Sequence, residues 1–308
     1  MRTFHADKGI ISMPVGAAIV LVVLLSFIVV FLVRHEDSHW LQNAFERSVK
    51  KLQIVQTMSR DLLISAEAEK SAVMADTDEA SQSFAEQSIQ ASQNVEKARR
   101  ELEQLLGENR QATQLFGEFS RCWDKLQAID HEVLSLAVQN TNLKAFRLAF
   151  VPAAAAMRRM DKALNHVMDV VSASPDAVGI TRLASKAIIG ALNISILQAP
   201  HIAEITTTRM DEMEAVMQSL DAEVTDALHR LQALVDESGK PFLDEAWASY
   251  KDFQKINVDI VDLSRQNSNM RSYAISLGQK RKTTAQCQEL LTALQETVRQ
   301  SMTYKATR

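Results

Sequence analysis

From Leu41 onward, apolar or small residues return every three or four positions: Leu41, Phe45, Ser48, Leu52, Val55, Ser59, Leu62 and Ala66. That spacing is one face of an α-helix. The pattern fades through Met74-Ala-Asp-Thr-Asp-Glu-Ala80, where no Gly or Pro breaks it. It resumes at Phe84, Ser88, Ala91, Val95, Ala98, Leu102 and Leu105, and Gly107 follows as a C-cap. We therefore expect one long helix to about Leu106. A second helix carries Leu115, Phe119, Cys122, Leu126, Ile129, Val133 and Leu136, and stops at the turn-rich Gln139-Asn-Thr-Asn142. A third runs from about Leu143 to Val171 with Pro152 as a point of bending, and Ser172-Ala-Ser-Pro-Asp176 ends it. The fourth is long again, from about Asp176 to Val235, with Pro200 bending it midway. A fifth, Phe242 to Leu263, stops at Gln266-Asn-Ser-Asn269, and a sixth runs from about Met270 to Met302.

The pattern repeats. Leu126–Asn142 lies over Phe253–Asn269 without a gap at an offset of 127 (253 − 126). Gln127/Gln254, Ile129/Ile256, Leu136/Leu263, Gln139/Gln266, Asn140/Asn267 and Asn142/Asn269 are identical. Phe84–Leu105 lies over Met213–Leu234 at an offset of 129 (213 − 84). The duplication predicts two copies of long helix, short helix, short helix. The all-α fold expected from this is two stacked four-helix bundles. Residues 37–74 with 207–303 form the one near the membrane, and 75–206 the one farther away. The two weakly patterned stretches, near Asp76–Glu79 and Pro200–Thr208, then meet at the junction.

The membrane enters through Ile10–Val33, a stretch without a charged residue. At about 1.5 Å per residue it is long enough to cross a hydrocarbon core of roughly 30 Å. Arg2 and Lys8 precede it, and Arg34 is followed by Glu36 and Asp37, a small bias for a cytoplasmic segment 1–9. The apolar run exceeds a signal-peptide core, so an uncleaved signal-anchor is expected, with the bulk of the chain in the periplasm. The sparse Gly (8) and Pro (5) agree with long helices. A net charge of −4 with both signs scattered gives no support to nucleic-acid binding. Cys122 and Cys287 sit at core spacing and read as small buried apolar residues, although an oxidising compartment would permit a disulfide.

No phosphate loop, Cys-x-x-Cys or His-Glu-x-x-His is present, so neither catalytic residues, metal ligands nor a cofactor are expected. His201, His35 and His39 read as structural or solvated, and Met210, Met213 and Met217 as core. An anionic ligand inside a bundle would need inward cations or donors. Counting heights from the membrane places Arg60, Asn257 and Lys280 in one layer of the nearer bundle, as a candidate ligand site. Arg147, Arg158 and Arg159 are weaker candidates in the farther one. Arg60 and Lys280 could equally reach out to water.

Six helices in this order behind one anchor resemble the helical bimodular sensor domain of bacterial methyl-accepting chemotaxis receptors and sensor histidine kinases. The turns Leu136-Ala-Val-Gln-Asn140 and Leu263-Ser-Arg-Gln-Asn267 are also similar to those of four-helix-bundle sensors. The resemblance covers about residues 10–303. It implies a dimer that binds small organic acids and signals through a second span into a cytoplasmic output domain. Residues 304–308 stand where that span would be expected, and the output domain is absent from this sequence. The expected function is thus the periplasmic sensing module of an inner-membrane, chemoreceptor-like transducer, homodimeric, with a small carboxylate ligand. The alternative is a membrane-tethered helical adaptor that holds a protein partner.

Overall fold

The computed structural model describes the backbone of residues 15–107 and 109–306, and the side chains of Ser26, 45–107 and 109–302. Segment 1–9, the first residues of the apolar stretch and the last two residues of the tail lie outside the described residues. The described chain is all-helical. Its elements are α1 (Val15–Met74), α2 (Asp78–Leu105), α3 (Arg110–Ala137), α4 (Thr141–Leu148), α5 (Ala154–Val170), α6 (Ala177–Ala203), α7 (Thr207–Leu234), α8 (Lys240–Gln266), α9 (Ser268–Ile275) and α10 (Arg281–Ala306). π-Helical turns, Ala149–Ala153 and Ser276–Lys280, join α4 to α5 and α9 to α10.

The first correction concerns where the chain reverses. The expected helix through residues 74–80 ends at Met74, and α2 folds back along α1 as a hairpin. Thr77 is the reason: its backbone is extended, its hydroxyl accepts the Ala80 N–H at 3.1 Å, and Asp78 and Glu79 fill the positive first turn that follows. Lys50–Glu101 at 2.8 Å and Ser65 between Ser88 (3.1 Å) and Ser92 (2.9 Å) fix the antiparallel register. The expected fourth helix likewise ends at Ala203. The Glu204 carboxylate accepts the N–H groups of Ile205 and Thr206, and α7 returns along α6.

The second correction follows from the first. α1, α2, α3 and α9–α10 pack on one another, and α4–α5, α6, α7 and α8 pack on one another. The division into 37–74 with 207–303 against 75–206 is therefore not the one the contacts draw. Ile54, Met58, Leu62, Val95, Leu102, Phe119, Trp123, Leu126, Leu291 and Leu294 share one core. Met160, Leu164, Ile180, Ile194, Val224, Leu231, Tyr250 and Phe253 share the other. A disulfide, Cys122–Cys287, ties α3 to α10, so the pair is covalently bonded rather than two free core residues. α6 is long and apolar enough to cross a membrane by length and composition; α5, α7 and α8 pack on its inner face, and Arg182 and Lys186 are exposed on its outer side.

The two weak stretches and the two Asn-rich turns do meet. Arg147 Nη2 donates to Asp76 O, Asn140 Nδ2 to Asp78 Oδ1 (2.9 Å), Asn142 Nδ2 to Ile202 O (2.7 Å) and Asn267 Nδ2 to Glu204 O (2.9 Å). The turns also cap each other. The Thr141 N–H donates to Ser268 Oγ and the Ser268 N–H to Thr141 Oγ1. The Asn142 N–H donates to Asn269 Oδ1 and the Asn269 N–H to Asn142 Oδ1, all at 3.0–3.2 Å. Helix N-termini leave N–H groups orphaned, and here each new helix supplies acceptors to the other. Asn140 and Asn267 hold φ of 51° and 53°, the left-handed conformation that Asn tolerates better than most residues. Asn142→Ala removes two donated bonds and the acceptor of the Asn269 N–H. Urea unfolding should show a loss of about 2–3 kcal/mol, and Asn142→Asp, which sets a buried carboxylate against Ile202 O and Asn267 Oδ1, a larger one.

The duplication is visible in the elements. α1 and α6 end 129 residues apart (203 − 74), α2 and α7 begin 129 apart (207 − 78), and α4 and α9 begin 127 apart (268 − 141). The π-helical turns are also 127 apart (276 − 149). Since Ser276–Lys280 contains no proline, Pro152 is not what makes the turn. Each repeat thus runs three helices and then a fourth, interrupted one. α3 and α1 pack on α9–α10, and α8 and α6 on α4–α5, so each repeat's fourth helix lies against the other repeat's first and third.

Candidate functional site

The three residues expected to share a ligand layer are not together. Arg60 is on the surface, its side chain 67% exposed, with Nε donating to the neighbouring Asp61 Oδ1 at 3.0 Å. Asn257 is on α8, in the other set of helices. Lys280 is buried at the π-helical turn before α10, 2.8 Å from Glu69 Oε2 and 2.7 Å from Asp130 Oδ1. Counting down from the turn at Ser268 places Asn257 in their layer only if α8 folds back beside α9–α10, whereas α8 packs with α4–α5, α6 and α7. Arg147 is spent on Asp76 O, Arg159 pairs with Asp252 at 2.9 Å, and Arg158 is exposed.

Lys280 therefore belongs to a buried ion cluster. Glu69, Asp130 and Lys280 are 0%, 7% and 2% exposed. Burial pushes the Asp130 carboxyl above its ordinary range, Lys280 pulls it back and Glu69 adds to the rise. The repeat gives the cluster a neutral counterpart. Offset by 129, Glu69 corresponds to Gln198; offset by 127, Asp130 corresponds to Asn257 and Lys280 to Ala153. Gln198 Nε2 donates to Asn257 Oδ1 at 2.8 Å, and Ala153 is fully buried. All three charges are absent together in the second set. The converse holds at the junction, where buried His201 sits between Ser264 Oγ and Glu214 Oε1, both at 2.8 Å. The equivalent positions in the first set are Ala72, Ala137 and Ala85.

Two grooves open between repeat-equivalent helices. One, of 750 Å³, separates α2 from α3, with Ala85, Ile89, Leu134 and Val138 as apolar lining. Its carboxylates are already matched. Arg99 and Arg100 hold Glu96 down at about 2, and Lys280 faces Asp130. The other, of 360 Å³, separates α7 from α8. Ile194, Met217, Phe253 and Val261 give it apolar walls, and Glu214, Asp221 and Asp262 with Gln218, Gln254 and Asn257 supply its polar groups.

In the α7–α8 groove the charges are not matched. Glu214 is held below its usual range, burial being overcome by Arg265 and His201. Asp221 and Asp262 have no cationic partner among the described residues. Asp221 Oδ1 instead accepts from the Tyr250 hydroxyl at 2.6 Å and Gln254 Nε2 at 2.7 Å, which orients the carboxylate. Burial and then the Asp221 carboxylate raise the Tyr250 phenol above its usual range, so it stays protonated and donates. No basic side chain lines this groove. Asn257 is the one expected site residue that lines it. Asp221 was missed because it stands among ordinary helix-surface polar residues in the sequence, and only the gap between α7 and α8 distinguishes it. No protein-family model, curated protein or solved structure matches the chain.

Proposed function

We propose that this chain is the extracytoplasmic sensing part of a membrane-anchored signal transducer. In this reading it is built as two four-helix bundles end to end and takes a small organic cation in the α7–α8 groove. One observation carries the reading: an apolar-walled groove of 360 Å³ presents an oriented carboxylate, Asp221, with Asp262 nearby and no cation matched to either. Such a site suits an amine or quaternary ammonium with a short apolar body and opposes the carboxylate ligand that the family resemblance implied. The charge-free stretch Ile10–Val33 supports the anchor. The Cys122–Cys287 bond suits an oxidising compartment outside the cytoplasm. α8 passes through Asn267 into α9–α10, so a ligand drawing α7 and α8 together would displace the helix that runs back along α1.

Thermal unfolding of the full chain in detergent, with n-butylamine, tetramethylammonium or butyrate added, tests this. Binding of the folded state at 100 times Kd adds about 2.7 kcal/mol, at about 2–4 °C per kcal/mol for a domain of this size. The amines are expected to raise Tm by several degrees and butyrate not to. Asp221→Asn, which can still accept the Tyr250 hydroxyl, should remove the shift. A shift from butyrate alone would return the ligand to the anions. The adaptor reading has one observation in its favour, the exposed Ile189, Leu192 and Ile196 along α6. No shift from any probe would favour it.

A further inference from the structure

We infer that the buried Glu69–Lys280–Asp130 cluster decides which fourth helix the cleft of α1, α2 and α3 accepts: the distant α9–α10 rather than the adjacent α4–α5.

The choice is real, because the two repeats are built alike. α4–α5 and α9–α10 have the same lengths up to and through the same π-helical turn, and both are lined with buried small and apolar residues. Only Val138, Gln139 and Asn140 separate α3 from α4. Three residues are enough for two helices to reverse and pack as a hairpin. Chain proximity favours that local pairing, since it closes the shorter loop. Yet α4–α5 lies on α8, and α3 carries α9–α10.

Exchange of the fourth helices would change little in the apolar core, but it would change what faces the polar positions. With α5 in the first cleft, Ala153 would face Glu69 and Asp130, leaving two buried carboxylates without a cation. With α10 in the second cleft, Lys280 would face the neutral Gln198–Asn257 pair. Both are mismatches of buried charge, the costliest kind. In the observed pairing both are avoided: Lys280 lies 2.8 Å and 2.7 Å from its two carboxylates, and Gln198 bonds Asn257 in the set that holds Ala153. Discrimination needs a penalty on the wrong partner as well as a reward for the right one. The loss of all three charges at the equivalent positions supplies it.

The disulfide reports the pairing. Offset by 127, Cys122 corresponds to Ser249 and Cys287 to Met160, so Cys122 can meet Cys287 only when α10 occupies the first cleft. In the local pairing Cys122 would face Met160.

The experiment refolds the full, reduced and denatured chain in detergent with a glutathione redox buffer and maps the disulfide by proteolysis. The wild type is expected to form Cys122–Cys287 nearly completely. A153K/K280A moves the cation from α10 to α5 and should lower that yield at least fivefold, with both thiols free to alkylate. A folded A153K/K280A with the wild-type yield would overturn the inference. If that variant does not fold, E69Q/D130N/K280A decides. It gives the first cleft the residues the second already has, so it should fold and, with chain proximity favouring the local pairing, form less than half the disulfide. A wild-type yield there would overturn the inference too.

Discussion

Lys280→Ala is expected to destabilise the chain by about 3–5 kcal/mol, because it leaves Glu69 and Asp130 buried together with no cation. Urea unfolding of the full chain measures it, and the loss should depend on pH. Burial already raises the Asp130 pKa in the folded state, with Lys280 opposing. A group raised on folding contributes stability that is fully present below its unfolded pKa, about 4 for aspartate, and lost as pH rises through the folded value. Removing Lys280 removes the opposing cation and raises the folded value further. The variant should therefore lose more stability between pH 5 and pH 8 than the wild type does. A loss under 1 kcal/mol, equal at both pH values, would mean that the cluster is hydrated and its charges are not in competition.

E69Q/D130N/K280A should regain most of what Lys280→Ala loses. Removing one partner strands a charge, whereas replacing the whole cluster by a neutral, packed equivalent is often close to neutral in stability. The second set already contains the neutral version, with Gln198 bonded to Asn257 and Ala153 buried. A triple variant no more stable than the single one would show that packing around Lys280, rather than its charge, carries the effect.

Helices and weak points were legible in the sequence; the direction of the chain at the weak points was not. The stretches near Asp76–Glu79 and Pro200–Thr208 were expected to meet at one junction, and hydrogen bonds from the turns at 139–142 and 266–269 converge on them. Periodicity shows where a helix loses its apolar face. It does not say whether the next helix continues or turns back, and either route gives helices of equal length meeting at one level. A local signal was present at Thr77-Asp-Glu79, an N-cap with acidic residues in the first turn. At Asn140 and Asn267 the chain was expected to reverse. There the N-termini are capped by the opposite turn, a contact no local pattern encodes.

The site failed for the same reason. Arg60, Asn257 and Lys280 share a level only if α8 folds back beside α9–α10, and it runs instead into the other set of helices. The repeat offset held a better signal, since Glu69/Gln198, Asp130/Asn257 and Lys280/Ala153 lose their charges together, as groups in contact must. Asp221 had no such mark. Its significance lies in Tyr250 and Gln254 converging on one oxygen beside an open groove, which depends on how far α7 and α8 part.

Reduction of Cys122–Cys287 is expected to cost about 4–5 kcal/mol. The bond joins residues 165 apart in sequence, and closing so long a loop removes much of the unfolded chain's freedom. Urea titrations with and without a phosphine reductant would show it as a lower midpoint, whereas C122S/C287S should be insensitive to reductant and as unstable as the reduced wild type. Both cysteines are buried, so reduction of the folded chain should be slow and should accelerate with urea. The bond also holds α10 against α3, the contact that keeps the fourth helix of the second repeat in the first cleft. Lys280→Ala and loss of the disulfide therefore weaken the same seating of α10, and their combination should cost less than the sum of the two. Full additivity would place the ion cluster and the disulfide in separately unfolding parts of the chain.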